Sequence, residues 1–311
     1  MYKRLGTEIF TMRIFTYILV SLIVIFTPLR GYSQDVPKPT ERDIEVDGRK
    51  RHYRWYLPAH KRGQCYPVIL AFHGGGRPDA PAGSQFDRYI DLTQKSTAAG
   101  FIVVYPDGYK HSWNAGPGPD KKSPNWGPAF EENIDDVKFV KAIIEDLAHS
   151  VPIDRHRIYA TGMSNGSAMS YRLAVELSDQ IAAAAGVVSE ISLPAPISLK
   201  RPVPVMYFWG TVDKMVRGGA PTSAERARRN IETWKALDGC IGKPDVATQG
   251  SGECQTFKGN APVVVWTIKG MGHCWPGVSQ SPLESAVLGP ANLDVDASSE
   301  IIKFFIEHPL P

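Results

Sequence analysis

The sequence has 311 residues, of which 43% are hydrophobic and 22% charged, with a formal net charge of +3. That apolar content is enough for a full core, which excludes a wholly disordered polypeptide. The length suits one large α/β domain.

Residues 1–33 have the layout of a secretory signal. Lys3, Arg4 and Arg13 precede an apolar run from Ile14 to Phe26, and Gly31 and Ser33 offer small residues for cleavage. Met12 is an alternative start that gives a more compact signal. The apolar run is short for a membrane span, and an uncleaved anchor is the alternative to cleavage. Cleavage would remove four basic residues and Glu8, taking the formal charge from +3 to zero. The basicity therefore belongs to the signal, and nothing suggests a nucleic-acid partner. The expected location is secreted or periplasmic, with no stable membrane anchor once the signal is cleaved.

Residues 34–42 are Pro-rich and read as a disordered leader; 43–311 read as one α/β domain. Asp43 to Val46 and Arg51 to Leu57 flank Asp47-Gly48, a hairpin signal. Tyr66 to Phe72 is a continuous apolar run, as expected of a strand buried on both faces, and it ends in His73-Gly74-Gly75-Gly76. Ile90 to Ala99 reads as a helix stopped by Gly100. Phe101 to Tyr105 is another buried strand. Tyr109 to Phe130 is a long loop rich in Gly, Pro, Asn and Trp, of a length that is often functional. Apolar residues at helical spacing make Asn133 to His149 an amphipathic helix. Ile158 to Thr161, Ala182 to Val188, Val203 to Trp209 and Val263 to Ile268 read as strands. Thr222 to Leu237 and Val295 to Glu307 read as helices, and 240–260 as an irregular insert. Strands alternate with helices, which predicts a mostly parallel sheet with helices on both faces.

The organising motif is Gly162-Met163-Ser164-Asn165-Gly166, between a strand and a helical pattern. In that context the turn lifts the Ser164 hydroxyl clear of the sheet. The alternative is a tight turn with a helix-capping Ser. Serine needs a base to become nucleophilic. His273 lies in a glycine-rich loop just past a late strand, where it can serve. Asp213 follows the preceding strand and can orient the imidazole; Glu190 is its rival. The order Ser164, Asp213, His273 is that of α/β-hydrolases. The backbone N–H groups of Gly74 or Gly75 and of Asn165 are candidate oxyanion donors. Trp113, Trp126 and Trp275 either stack on substrate or anchor core and loops. Asp135 and Asp136 read as structural first-turn acids.

Cys65, Cys240, Cys254 and Cys274 lack metal-site spacing. Export permits disulfides, and four cysteines allow three full pairings. Cys240 and Cys254 are nearest in sequence, so a loop-closing bridge between them is expected. Cys65 reads as a buried free thiol.

Taken together, these stretches resemble the secreted polyhydroxybutyrate depolymerase and feruloyl esterase-like family of α/β-hydrolases. The resemblance rests on His73-Gly74-Gly75-Gly76, Val104 to Gly108, Ser112-Trp113-Asn114, Asp135 to Val140, Tyr159 to Gly166 and Gly272-His273-x-Trp275-Pro276-Gly277. It spans most of residues 50 to 280. It implies an α/β-hydrolase fold and a serine carboxylesterase with Ser164, Asp213 and His273 as its triad. The same resemblance implies no cofactor, and a polymer-derived ester as substrate, either a hydroxyalkanoate polyester or a feruloyl or acetyl polysaccharide ester. Gly239-Cys240 and Cys254 match family cysteines, which supports the bridge. Ser167 and Cys274 depart from the family pattern, and Cys274 could pair with Cys240 instead. A serine peptidase of prolyl-oligopeptidase type and an inactive polymer-binding module are the alternative readings.

Overall fold

The computed structural model describes residues 37–59, 63–75, 82–118, 127–215 and 222–311. The signal expected at 1–33 and Trp126 lie outside these residues. In chain order the elements are β1 (Thr40–Val46), β2 (Arg49–Tyr56), β3 (Tyr66–Phe72), α1 (Ala82–Tyr89), α2 (Leu92–Ala98), β4 (Ile102–Pro106), α3 (Pro128–Glu131) and α4 (Asp136–Ser150). They continue with β5 (Ile153–Met163), α5 (Asn165–Glu176), β6 (Ala184–Val187), β7 (Val205–Gly210), α6 (Ser223–Leu237), β8 (Asp245–Gln249), β9 (Gly252–Phe257), β10 (Val263–Ile268), α7 (Pro282–Leu288) and α8 (Ala297–Glu307).

All these strands form one sheet in the order β1-β2-β4-β3-β5-β6-β7-β10-β9-β8. The strands from β4 to β10 run parallel to one another, and β1–β2 and β9–β8 join the two sides antiparallel. This is the α/β-hydrolase architecture expected from the sequence.

Alternate residues of each central strand serve opposite faces. Ile69, Val103, Tyr159, Met206 and Trp266 pack with Phe86, Leu92, Ile301 and Phe305, so α1, α2 and α8 cover one face. Val68, Leu70, Ile102 and Ala160 pack with Val140, Ile144, Met169 and Leu173 of α4 and α5 on the other. Beyond α5 that second face continues under α6, where Val205, Tyr207 and Val265 meet Ala227 and Trp234.

The hairpin turn at Asp47-Gly48 has φ of 52° and 69°, the left-handed pair that matches strand twist. β1 starts at Thr40, inside the expected leader, because Thr40 to Arg42 pair with Tyr53 to Trp55 and Glu41 meets Arg54 at 3.0 Å. The helix read at Ile90 to Ala99 is α2, and α1, which ends at Tyr89 just before it, has no counterpart in the sequence reading. The segment 240–260 carries the β8–β9 hairpin. Every residue of β8 is exposed, so no apolar alternation announces it. α7 also escaped the sequence reading, although Ser281-Pro282-x-Glu284 forms a capping box with Pro at the helix start.

The expected Cys240–Cys254 bridge does not form: all four cysteines are free thiols. The cause is topological. Cys240 packs with the α6-side core, while Cys254 packs with the core on the α8 side. Despite their nearness in sequence, the two cysteines pack on opposite faces of the sheet. Cys274 is buried and its thiol is pushed up to about 12, chiefly by desolvation. It contacts the Pro290 carbonyl at 3.5 Å and has no bridge to Cys240. Cys65 is free as expected, but exposed rather than buried.

Candidate active site

Because β5, β7 and β10 are parallel, the residues just past their ends gather at one edge of the sheet. Ser164 follows β5, Asp213 follows β7 and His273 follows β10.

Ser164 joins β5 to α5 with φ 55° and ψ −121°, a conformation that side chains other than glycine rarely adopt. The turn is pinned on both sides. The Ser164 N–H donates to the Val187 carbonyl at 2.9 Å, and its own carbonyl accepts from Ala168 N–H at 3.2 Å. The flanking glycines are there for room. A Cβ on Gly166 would sit 2.1 Å from the Phe72 carbonyl oxygen, and one on Gly162 would sit 2.5 Å from the Gly166 carbonyl oxygen. Their bareness lets the end of β3 press against the turn. A Cβ on Gly74 would lie 3.3 Å from Ser164 Cβ. Ser167 is fully buried and donates to the Ser189 carbonyl at 3.2 Å.

His73 leads into that glycine segment. Its Nδ1–H donates to Gly74 O at 2.6 Å and its Nε2 accepts from Gly108 N–H at 2.9 Å. Burial pushes this imidazole down to about 4, so it is neutral at ordinary pH and holds backbone rather than moving protons.

Asp213 and His273 meet directly, with Nδ1 of His273 donating to Oδ2 of Asp213 at 2.8 Å; both are buried. Oδ1 of Asp213 accepts from Met215 N–H at 2.8 Å, and the Arg226 guanidinium lies 3.6 Å from Oδ2. Burial raises the Asp213 carboxyl, but its bond to His273, the His273 charge, the Met215 N–H and Arg226 outweigh that and hold it below its ordinary range. A carboxylate on Nδ1 leaves Nε2 as the basic nitrogen of the ring. Gly210 keeps the two loops close, since a Cβ there would meet the Met271 carbonyl at 2.2 Å.

Glu190, the rival acid, is committed elsewhere: Arg229 grips both its oxygens at 2.7 and 2.6 Å. Trp113 and Trp275 are fully buried, which corrects the substrate-stacking reading of both. The Trp113 indole donates to the His73 carbonyl at 3.0 Å, and that of Trp275 to Ser298 Oγ at 3.1 Å. Asp135 caps α4 through Lys138 N–H at 2.8 Å. Asp136 is structural for a reason the sequence hid. It is wholly buried, pairs with Arg51 at 2.8 Å and accepts Asn114 N–H at 2.7 Å, so it anchors the long loop. Also hidden were Arg226 and the side chain of Asn165, which bonds the backbone of Trp113. A patterned helix surface announces neither contact.

A family model described as the dienelactone hydrolase family matches residues 58–235. Among curated proteins, a putative esterase, NocK, of Nocardia uniformis subsp. tsuyamanensis is 27% identical over 90% of this chain and 86% of its own length. Feruloyl esterase B of Piromyces equi is 30% identical over 67% of this chain, which spans only 39% of that protein. Among solved structures, an acetyl xylan esterase from Aspergillus awamori superposes with a TM-score of 0.58 at 13% identity, over 86% of this chain and 98% of that one. A thermostable esterase gives 0.56 at 15% identity, over 87% of this chain and 63% of its own. At such identities the structural likeness speaks for the fold alone.

Proposed function

We propose that this chain, which belongs to the dienelactone hydrolase family, is a carboxylic ester hydrolase that works through an acyl-enzyme on Ser164. The observation that carries the reading is the buried Asp213–His273 pair at the sheet edge that also bears the strained Ser164 turn.

In this mechanism Nε2 of His273 takes the Ser164 proton as Oγ attacks the ester carbonyl. Asp213 holds the ring and stabilises the imidazolium that results. The oxyanion is received by the N–H of Asn165 and by that of Gly74 or Gly75. His273 then passes its proton to the leaving alcohol. Water, deprotonated by the same nitrogen, releases the acid and restores Ser164.

The substrate we assign is a feruloyl or acetyl ester of plant polysaccharide. Relatives named feruloyl esterase and acetylxylan esterase/xylanase support that class. A hydroxyalkanoate polyester is the second ester class to test. The basic, apolar and small-residue pattern of residues 1–33 supports export. Sequencing the N-terminus of protein recovered outside the cytoplasm checks it.

The decisive experiment combines fluorophosphonate labelling with turnover of methyl ferulate, acetylated xylan and short hydroxybutyrate oligomers. The expected result is one adduct, on Ser164, and preference for the first two substrates. Ser164→Ala should abolish turnover without changing the fold. Undiminished hydrolysis by that variant would refute the mechanism.

A further inference from the structure

A buried residue of the long loop, Trp113, reaches the site. Trp113 has no exposed surface, and its backbone N–H donates to Asn165 Oδ1 at 2.7 Å while its carbonyl accepts from Asn165 Nδ2 at 3.1 Å. Exchanging the amide oxygen and nitrogen would oppose two donors and two acceptors, so the network fixes the amide. The same tryptophan's indole N–H donates to the carbonyl of His73 at 3.0 Å, and its ring lies 5.0 Å from the imidazole.

These bonds reach two separate places. His73 and Gly74 belong to the segment after β3, whereas Asn165 opens α5. On the first side, His73 Nδ1–H holds Gly74 O at 2.6 Å. A trans peptide then turns the Gly75 N–H away from the imidazole. On the second side, a side chain held at both ends fixes the backbone of Asn165 itself. Trp113 cannot drift, because Asn114 next to it is gripped at N–H by Asp136 (2.7 Å) and at its carbonyl by Arg172 (2.5 Å).

We propose that Trp113 and the Asn165 side chain are positioning residues that set the spacing between the two arms of the oxyanion hole. The inference rests on the oxyanion assignment made above and deepens it. β3 and β5 are neighbours, but their ladder ends at Phe72 and Gly162, before either donor is reached. Beyond that point Trp113 is a hydrogen-bonded strut joining both arms. Donors that must meet a developing charge lose effect with small displacements, so a slack strut slows the chemical step and leaves ground-state binding alone.

Trp113→Phe removes the indole bond and keeps most of the packing; Asn165→Ala removes the clamp. Each is made in the whole protein, and turnover of p-nitrophenyl acetate and inhibition by a trifluoromethyl ketone are measured beside thermal melting. The expected result is a 10- to 100-fold fall in kcat with KM within twofold. Ketone affinity should fall by a similar factor, and the double variant should be no worse than the poorer single one. Unchanged kcat in a folded single variant, or a loss confined to KM, overturns the inference. Should Trp113→Phe fail to fold, Asn165→Ala decides. Ser164→Ala, assayed alongside, separates this outcome from failure of the underlying mechanism: if it too retains turnover, the oxyanion reading itself falls.

Discussion

Ser164 occupies backbone space that suits glycine, and the sheet holds it there. Strain of this kind costs about 1–3 kcal/mol, partly offset by the greater chain entropy that glycine loses on folding. Ser164→Gly should therefore melt above wild type while losing all turnover, whereas Ser164→Ala keeps the strain and should melt close to it. Calorimetry of the three proteins checks the ranking. Asp238 shows the opposite kind of tension. Burial pushes its carboxyl from 3.8 up to about 7, against the pull of Val203 N–H and Arg201. Its Oδ1 accepts Val203 N–H at 2.9 Å, but its Oδ2 is buried without a partner. Because the folded state holds this proton more tightly than the unfolded chain, stability should fall as pH rises between about 4 and 7. Asp238→Asn keeps the Val203 bond and cannot ionise. It should raise the melting temperature at pH 8 and change it little at pH 4; an equal shift at both would exclude ionisation as the cause. The sequence made Ser164 legible because a Gly-x-Ser-x-Gly turn has a local signature. Asp238 was not legible, because its burial depends on elements far away in the chain.

The elements that present the site are tied down by polar contacts more than by their own propensity. α6 begins with a capping box at Thr222 and Glu225, which fixes the turn from which Arg226 reaches Asp213. The long loop is held at Asn114 by Asp136, whose charge is balanced by Arg51. Arg51 also lies 3.9 Å from the Phe139 ring. Removing one member of such a buried pair leaves a charge without compensation, at a cost of about 3–5 kcal/mol. Arg51→Met should lose that much in urea denaturation, whereas Arg155→Met, which breaks an exposed pair with Glu145, should lose under about 1 kcal/mol. Similar losses for the two would contradict the buried role. Asp136 shows where sequence reading stops at this scale. Its place in a first helical turn suggested a dipole contact, and only the packed loop reveals that it is an anchor. The β8–β9 hairpin was missed for the reverse reason, since an exposed strand has no buried face to impose a pattern.

For the whole molecule, the parallel strands and the chain order of Ser164, Asp213 and His273 were readable because buried strands and their glycine-rich ends are local features. What lies above and below the sheet was not. Two cysteines fourteen residues apart looked like partners, yet the sheet separates them. With all four thiols free, a reducing agent should leave the melting temperature unchanged, and alkylation of the native protein should modify Cys65 well before Cys274. A drop in melting temperature under reductant would contradict this arrangement. The sheet order has a further consequence, in time rather than space. β10 lies beside β7, but the chain reaches it only after α6 and the β8–β9 hairpin. A chain emerging from the ribosome therefore presents Ser164 and the proposed oxyanion donors well before His273, the proposed base, has been made. Until that late strand docks, the proposed nucleophile of the nascent protein has no base to arm it.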